Sequence, residues 1–272
     1  MPKSANDTTT PAPAESRRHE TLFVSSLEKG MKVLQAFGPD NPEMGVTEIA
    51  LATGLDKSAA QRFSNTLHAL GYLTKDAQTR RYRPSLKLLD AAYTYLWTDD
   101  LARNAAPRLI EASRASGETL NLARLDVHQV VYVIRIPNAK AHYPATLIGR
   151  RLPAFATSGG RAMLSRMEPD LVDAILDASD LSPMTAETVT DRTELLDEFA
   201  RSRQRGYAVS IQQCMLGEVG VAAPVLDIQG RPVAAVVCPS MLSHTTPERI
   251  ENEIAPLVME TAAAASQHPG GA

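Results

Sequence analysis

The chain is predicted to be α+β, an N-terminal winged helix-turn-helix joined by a linker helix to a larger domain built on a mostly antiparallel sheet. Three observations predict it. Residues 47–70 carry two apolar repeats of helical period, interrupted at Gly54-Leu55. Residues 71–83 switch to alternating apolar and polar positions around a polar turn, the pattern of a hairpin. From Thr119 onward, apolar runs of strand period are interleaved with helical segments, which points to a sheet domain with helices before, inside and after it. A length of 272 residues suits two domains with tails. The expected division is a disordered leader over 1–20, a DNA-binding winged helix over 21–83, a linker helix over 84–98, the sheet domain over 99–266, and a flexible tail over 267–272.

In chain order, Ser25-Ser-Leu-Glu28 has the form of a capping box, and Leu27, Met31, Leu34 and Phe37 supply an apolar stripe before Gly38-Pro39 stops the helix. Thr47 is the expected cap of a short second helix that buries Ile49, Ala50 and Thr53. Gly54 then supplies a left-handed residue, Leu55 plugs the corner, and Asp56 caps a third helix. Its core side reads Ala60, Phe63, Leu67 and Leu70, leaving Ser58, Gln61, Arg62 and Asn65 outward. Arg, Asn and Gln bond base edges in pairs, while Ser and Ala permit close approach, so this face suits a major groove. Gln78, Thr79 and Arg80 form the expected wing tip. Ser85 opens the linker helix, with Leu86, Leu89, Ala92, Tyr93 and Leu96 as its stripe, and a helix over 99–116 ends at Gly117.

Strands are expected at Thr119–Leu125, Gln129–Ile136 and Tyr143–Ile148, then helices at Ala156–Ser165, Pro169–Ala178 and Asp191–Gly206. Three further strands, Tyr207–Gln213, Val219–Asp227 and Pro232–Pro239, precede a last helix opened by Thr246-Pro247-Glu248 and lined by Ile250, Ile254, Leu257 and Val258.

The net charge of −3 argues against nucleic acid only until its distribution is read. Residues 57–83 hold six Lys or Arg against the single acid Asp76, a local surface suited to phosphates. The candidate DNA-contacting residues are therefore Thr47, Lys57, Ser58, Ala59, Gln61, Arg62 and Asn65 on the helices, with Arg80 and Arg81 on the wing. The alternatives are a solvated helix face, and Arg81 or Arg83 packed on the body of the domain. Two cysteines, Cys214 and Cys238, are too few for a disulfide scaffold and predict reduced thiols in a cytoplasmic protein. No run of eighteen apolar residues predicts a membrane span. The absence of a Gly-x-Ser-x-Gly elbow, a Gly-x-Gly-x-x-Gly fingerprint, a Walker loop and a His/carboxylate cluster argues against an enzyme and predicts neither cofactor nor metal. Arg124 and Arg135 either face solvent or neutralise a bound carboxylate.

With these residues placed, the chain resembles the IclR family of bacterial transcriptional regulators over roughly residues 24–266. The resemblance is carried by Ser26–Leu34 with Thr47–Ala50 and Gly54–Ser58, by Leu152-Pro-Ala-Phe-Ala-Thr-Ser-Gly-Gly-Arg-Ala162, and by Gly206–Val209 with Gly217–Leu226. It implies a linker helix that helps dimerise the chain, a GAF-like C-terminal domain that binds a small organic acid, and a homodimer or dimer of dimers on operator DNA. By position in the motifs, Thr157, Ser158, Gly159, Ser210, Gly220 and Val237 line the effector pocket, with Leu147 and Leu152 as its apolar wall. A helix opened by two glycines exposes N–H groups suited to a carboxylate; close strand-to-helix packing is the competing reading. Ser210-Ile-Gln-Gln213 replaces the family's usual acidic residues and Arg161 its usual Lys, a less polar lining that favours an aromatic or larger acid. The alternatives are a constitutive DNA binder without effector, and an enzyme using the C-terminal domain.

Overall fold

The structure, a computed structural model, describes residues 22–138 and 148–266. The expected leader and tail, Leu147, and all but Ile148 of the strand expected at Tyr143–Ile148 lie outside the described residues. The chain divides into two compact units between Thr94 and Tyr95.

The N-terminal unit contains helices α1 (Ser25–Gln35), α2 (Val46–Thr53) and α3 (Lys57–Ala69), strands β1 (Leu73–Lys75) and β2 (Tyr82–Pro84), and the start of α4 (Leu88–Thr98), which crosses the division. Its small core is Val33, Met44, Ile49, Ala60, Leu67, Leu73 and Tyr82, with Leu55 and Phe63 packed against it. Gly54 takes φ 67°, which turns the chain between α2 and α3, and Asp56 Oδ1 accepts the Ala59 N–H at 2.8 Å. β1 and β2 pair antiparallel with Thr74 opposite Arg83, and Met44 adds a bridge to Tyr82.

Four local expectations are corrected. No side chain caps α1, whose N-cap residue is Val24; Glu28 pairs instead with Lys32 at 2.7 Å. Leu27 and Met31 are 66% and 47% exposed, because so small a core takes only Val33 fully from this helix, with Leu34 and Phe37 at its margin. Gly45 rather than Thr47 caps α2, its N–H donating to Glu48 Oε2 at 2.7 Å. The helix expected from Ser85 begins at Leu88, since the Ser85 N–H is held by the Tyr72 carbonyl at 3.0 Å and its hydroxyl by that of Gly71.

The C-terminal unit is a six-stranded antiparallel sheet. Its strands are β3 (Leu120–Asp126), β4 (Gln129–Ile136), β5 (Arg151–Pro153), β6 (Ala208–Ile211), β7 (Glu218–Leu226) and β8 (Pro232–Met241), in the order β5-β4-β3-β8-β7-β6. One face packs on α5 (Asp100–Ser116) and the final helix α9 (residues 247–265) through Leu120, Leu122, Val219, Val221, Val236, Ala105, Leu109 and Val258. The other packs on α6 (Ser158–Leu164), α7 (Pro169–Asp177) and α8 (Arg192–Arg205) through Ala123, Ala222, Ala235, Val237, Met163, Val172 and Phe199. β5 is not among the strands expected from the sequence; its partner is β4, with Leu152 opposite Val130.

Asp99, Thr157 and Asp191 cap α5, α6 and α8, while Gly117 and Gly206 end α5 and α8 in left-handed geometry. α9 starts at Pro247 under the Thr246 cap, passes through a π-turn at Ile250–Ile254 and continues as Ala255–Ala265. Pro256 explains the turn. It has no N–H for the four-residue ladder, so the preceding Ala255 N–H reaches back five residues to Ile250.

α6 sits unusually close to the chain that enters it: a Cβ on Gly160 would lie 2.1 Å from the Ala154 carbonyl oxygen. Gly160→Ala should therefore destabilise the sheet unit by about 3 kcal/mol in denaturant unfolding, although the same change at an open helical site stabilises. Unchanged or raised stability would show that the close approach is not required.

Candidate functional site

On α3, Ser58, Gln61, Arg62 and Asn65 share the exposed face with Lys57 on the first turn, and Thr47 on α2 is exposed. Ala59 differs from expectation, being 6% exposed, because it lies on the inner flank beside Ala60. Asn65 is engaged: its Oδ1 accepts the Tyr82 hydroxyl at 2.5 Å, so the residue ties α3 to the root of the wing.

The wing has a built tip. Asp76 Oδ1 accepts the Gln78 N–H, the Thr79 N–H and the Thr79 hydroxyl at 3.0, 2.6 and 2.8 Å. The Thr79 bonds are the main reason its carboxyl titrates below the usual range. Arg80 takes φ 60° at the exposed turn. Arg81 turns back onto the body, where it pairs with Glu43 at 3.2 Å and Glu48 at 2.9 Å and donates to the Glu43 carbonyl at 2.8 Å. Its charge is thereby spent on holding the wing. Arg62 and Arg80 enter no ion pair among the described residues.

In the C-terminal unit a second group of residues converges between α6 and the sheet. Tyr132, Leu152, Thr157, Ser158, Ser210, Gln213, Cys214, Met215, Glu218, Gly220 and Val237 surround a cavity of about 10 Å³, room for no more than one water. Six residues selected from the sequence are here: Leu152, Thr157, Ser158, Ser210, Gly220 and Val237. Gly159 is not among them. A Cβ on it would come within 2.9 Å of Val237 Cγ2, so this glycine seats the helix on the sheet. The glycine N–H groups are also not simply presented to the cavity, since Thr157 Oγ1 already accepts from Gly160 at 3.0 Å.

Arg161 is 4% exposed and points away from the cavity, donating to the Phe155 carbonyl at 2.7 Å and Gln213 Oε1 at 2.8 Å. Burial draws its pKa down. Gln213 in turn accepts the Val189 N–H at 2.8 Å, and the Thr185 and Thr188 hydroxyls each bond a carbonyl of the β6–β7 connection at 2.6 Å. The loop over the cavity is thus clamped from outside.

Tyr132, Gln213, Cys214, Met215 and Glu218 are additions to the sequence-derived set. Glu218 was within reach of it. It lies two residues from Gly220 on one strand, so the alternation of β7 puts both on one face. Burial raises the Glu218 carboxyl pKa, opposed by the charges of Arg150 and Arg135, and burial pushes the Cys214 thiol up to about 12. Arg124 lies elsewhere, paired with Asp99 and bonded to the Tyr95 hydroxyl at 3.4 Å. Among the described residues no group of three His, Cys, Asp or Glu forms a metal-binding cluster, and no helix is long and apolar enough to cross a membrane.

Against known proteins, residues 26–77 match the IclR helix-turn-helix domain and residues 93–267 the bacterial transcriptional regulator IclR C-terminal domain. The chain is 32% identical over 245 residues to the p-hydroxybenzoate hydroxylase transcriptional activator of Acinetobacter baylyi, covering 88% of this chain and 90% of that one. An IclR transcriptional regulator from Alicyclobacillus acidocaldarius superposes with a TM-score of 0.79 at 25% identity, covering 90% and 98% of the two chains. The inducer-binding domain of PobR from Acinetobacter, a double mutant in complex with 3-hydroxybenzoic acid, matches at TM-score 0.54 and 29% identity, covering 59% of this chain and 94% of that one.

Since the fully buried Tyr82 spends its hydroxyl on Asn65, Tyr82→Phe should cost the N-terminal unit about 1 kcal/mol in denaturant unfolding. A variant as stable as the parent would mean the bond adds nothing to the packing of wing and helix.

Proposed function

Starting from the fact that the chain belongs to the IclR family of bacterial transcriptional regulators, we propose that it binds operator DNA as a homodimer or dimer of dimers in the cytoplasm, and that a small aromatic acid sets its occupancy. The observation that carries this is the exposed row Ser58, Gln61 and Arg62 on a helix whose opposite side is core. Ser58, Gln61 and Arg62 read base edges in the major groove, Thr47 and Lys57 approach the backbone, and Arg80 reaches from the wing. Asn65 positions the helix through Tyr82, and Arg81 positions the wing.

Dimerisation draws support from apolar surface. α4 is rich in Leu, Tyr and Trp, yet none of its residues is buried within one chain, and Leu22, Phe23, Val24, Leu27 and Met31 are exposed around α1. Two reading helices then lie about 34 Å apart, one turn of DNA, or a multiple of it.

For the C-terminal unit, the conjunction of Ser158, Ser210, Tyr132 and Leu152 around one cavity supports a sensor of small acids rather than an enzyme. The hydroxybenzoates named for the Acinetobacter relatives give the first probes. Because the cavity is nearly closed, an aromatic ring enters only as the clamped β6–β7 loop gives way. The ligand shifts DNA affinity by its differential affinity for open and closed forms.

Arg62→Ala should abolish footprinting on the intergenic DNA beside the gene while leaving the thermal unfolding of both units unchanged; an intact footprint would sink the reading-helix assignment. The two wing arginines should part company in salt. Arg80→Ala removes a phosphate contact and should lessen the slope of log affinity on log salt by about 0.9. Arg81→Ala should lower affinity with that slope unchanged, because its charge is already matched by Glu43 and Glu48. Equal slopes for both variants would refute the division of roles.

A further inference from the structure

Two polar side chains on the α6 side of the sheet take no hydrogen bond among the described residues. Asn121 on β3 is fully buried, and among the described residues neither its Nδ2 nor its Oδ1 has a hydrogen-bond partner. Its neighbours Leu120 and Leu122 belong to the core under α5 and α9, so Asn121 faces the opposite side of the sheet. There it stands directly across from Val237, which lines the cavity, and from Arg135 on the other neighbouring strand. A buried amide without partners costs roughly 1–3 kcal/mol. A Leu of nearly the same size would avoid that cost.

The second side chain is Glu218, which lines the cavity from β7. Its carboxylate takes neither a hydrogen bond nor an ion pair among the described residues, although the charges of Arg150 and Arg135 act on it. Once ionised, Glu218 repels the carboxylate of an entering acid and leaves that group to the side of Arg150 and Arg135, whose charges favour the ionised form. The same acceptor receives a hydroxyl proton well, since a charge-assisted bond is about twice as strong as a neutral one.

We propose that Glu218 and Asn121 form a hydroxyl-recognising end of the effector site, so that the effector is a hydroxylated carboxylic acid and its unsubstituted parent is rejected. The proposal rests on the effector reading above and deepens it. Glu218 accepts the hydrogen bond from the ligand hydroxyl, and Asn121 donates to an oxygen of the same ligand. Discrimination follows from the empty case: with benzoate in place of a hydroxybenzoate, the buried Asn121 and the half-buried Glu218 both stay without partners.

The test is calorimetric titration of the full chain with benzoate, 3-hydroxybenzoate and 4-hydroxybenzoate, in the parent and in Glu218→Leu, Glu218→Gln and Asn121→Leu. The parent should bind one hydroxybenzoate at least about tenfold more tightly than benzoate. Glu218→Leu should bring that ratio close to one, and Glu218→Gln, which keeps an acceptor without the charge, should hold an intermediate value. Asn121→Leu should raise the melting temperature of the free protein and weaken hydroxybenzoate binding; a residue of purely structural use would not move the two in opposite directions. Equal parent affinities for benzoate and both hydroxybenzoates, or a ratio unchanged by both Glu218 variants, would overturn the proposal while leaving the effector reading in place. A parent that binds none of the three acids would overturn that reading and this proposal together.

Discussion

Much of the C-terminal unit follows from how closely α6 lies against the segment that precedes it and against β7. Gly160 leaves no room for a side chain above the Ala154 carbonyl, and a Cβ on Gly220 would come within 2.6 Å of Ser158 Oγ. These contacts press the start of the helix onto the sheet, and the Ser210 hydroxyl, bonded to the Ala156 carbonyl at 2.8 Å, fixes it from the β6 side. Everything that lines the cavity is placed relative to this seat. Thr157 and Ser158 come from the helix start, Ser210 and Gly220 from the strands beneath it, and Leu152 from the chain leading in. The cavity is small because the seat is tight, so any ligand larger than water works against packing rather than filling a ready void.

The N-terminal unit reaches rigidity by another route. Three short helices and a two-stranded wing bury little, and one residue joins nearly all of them. Tyr82 exchanges two backbone hydrogen bonds with Met44 at 2.8 and 2.9 Å, donates its hydroxyl to Asn65, sets its ring edge-on to His68 and lies beneath the Lys75 ammonium. The wing is thereby coupled to α3 and to the segment entering α2. Arg81, the neighbouring residue, adds the outer fastening to Glu43 and Glu48. What remains unengaged on the surface includes Arg62 and Arg80, two of the residues proposed to contact DNA.

How much of this was legible in sequence depended on whether the cause was local. Helix starts whose side chains cap them, at Asp56, Asp99, Thr157 and Asp191, were readable because cap and first turn lie within four residues. The start of α1 was not, since Ser25 and Glu28 offer the right pattern while the first turn goes uncapped by any side chain. Asn65 and Arg81 look like contacts for a partner, and only the folded register reveals the partners they already have, 17 residues away for Asn65 and 33 for Arg81 with Glu48. The cavity shows the same limit. Family motifs located Thr157, Ser158, Ser210 and Gly220, whereas Tyr132 comes from β4, whose register against β3 shifts at a bulge between Leu122 and Ala123. That bulge has no proline or glycine to announce it.

The same strand that carries Asn121 also holds the entrance to the unit. Past the bulge, Arg124 reaches Asp99, the cap of α5, and the hydroxyl of Tyr95 near the end of α4. Burial alone would raise the Asp99 carboxyl pKa, but the Ala102 N–H, Tyr95 and Arg124 together pull it below the ordinary value. The carboxylate therefore stays ionised and its attachment to β3 persists at neutral pH. The Asp99 side chain is only 7% exposed, so separating the pair would leave an uncompensated charge out of water. β3 thus has Asn121, across from the cavity-lining Val237, and a stiff ionic joint to α5 and α4 three residues later. A ligand that alters the seating of β3 must either carry that joint with it or break it, and keeping the ion pair makes the first course the less costly.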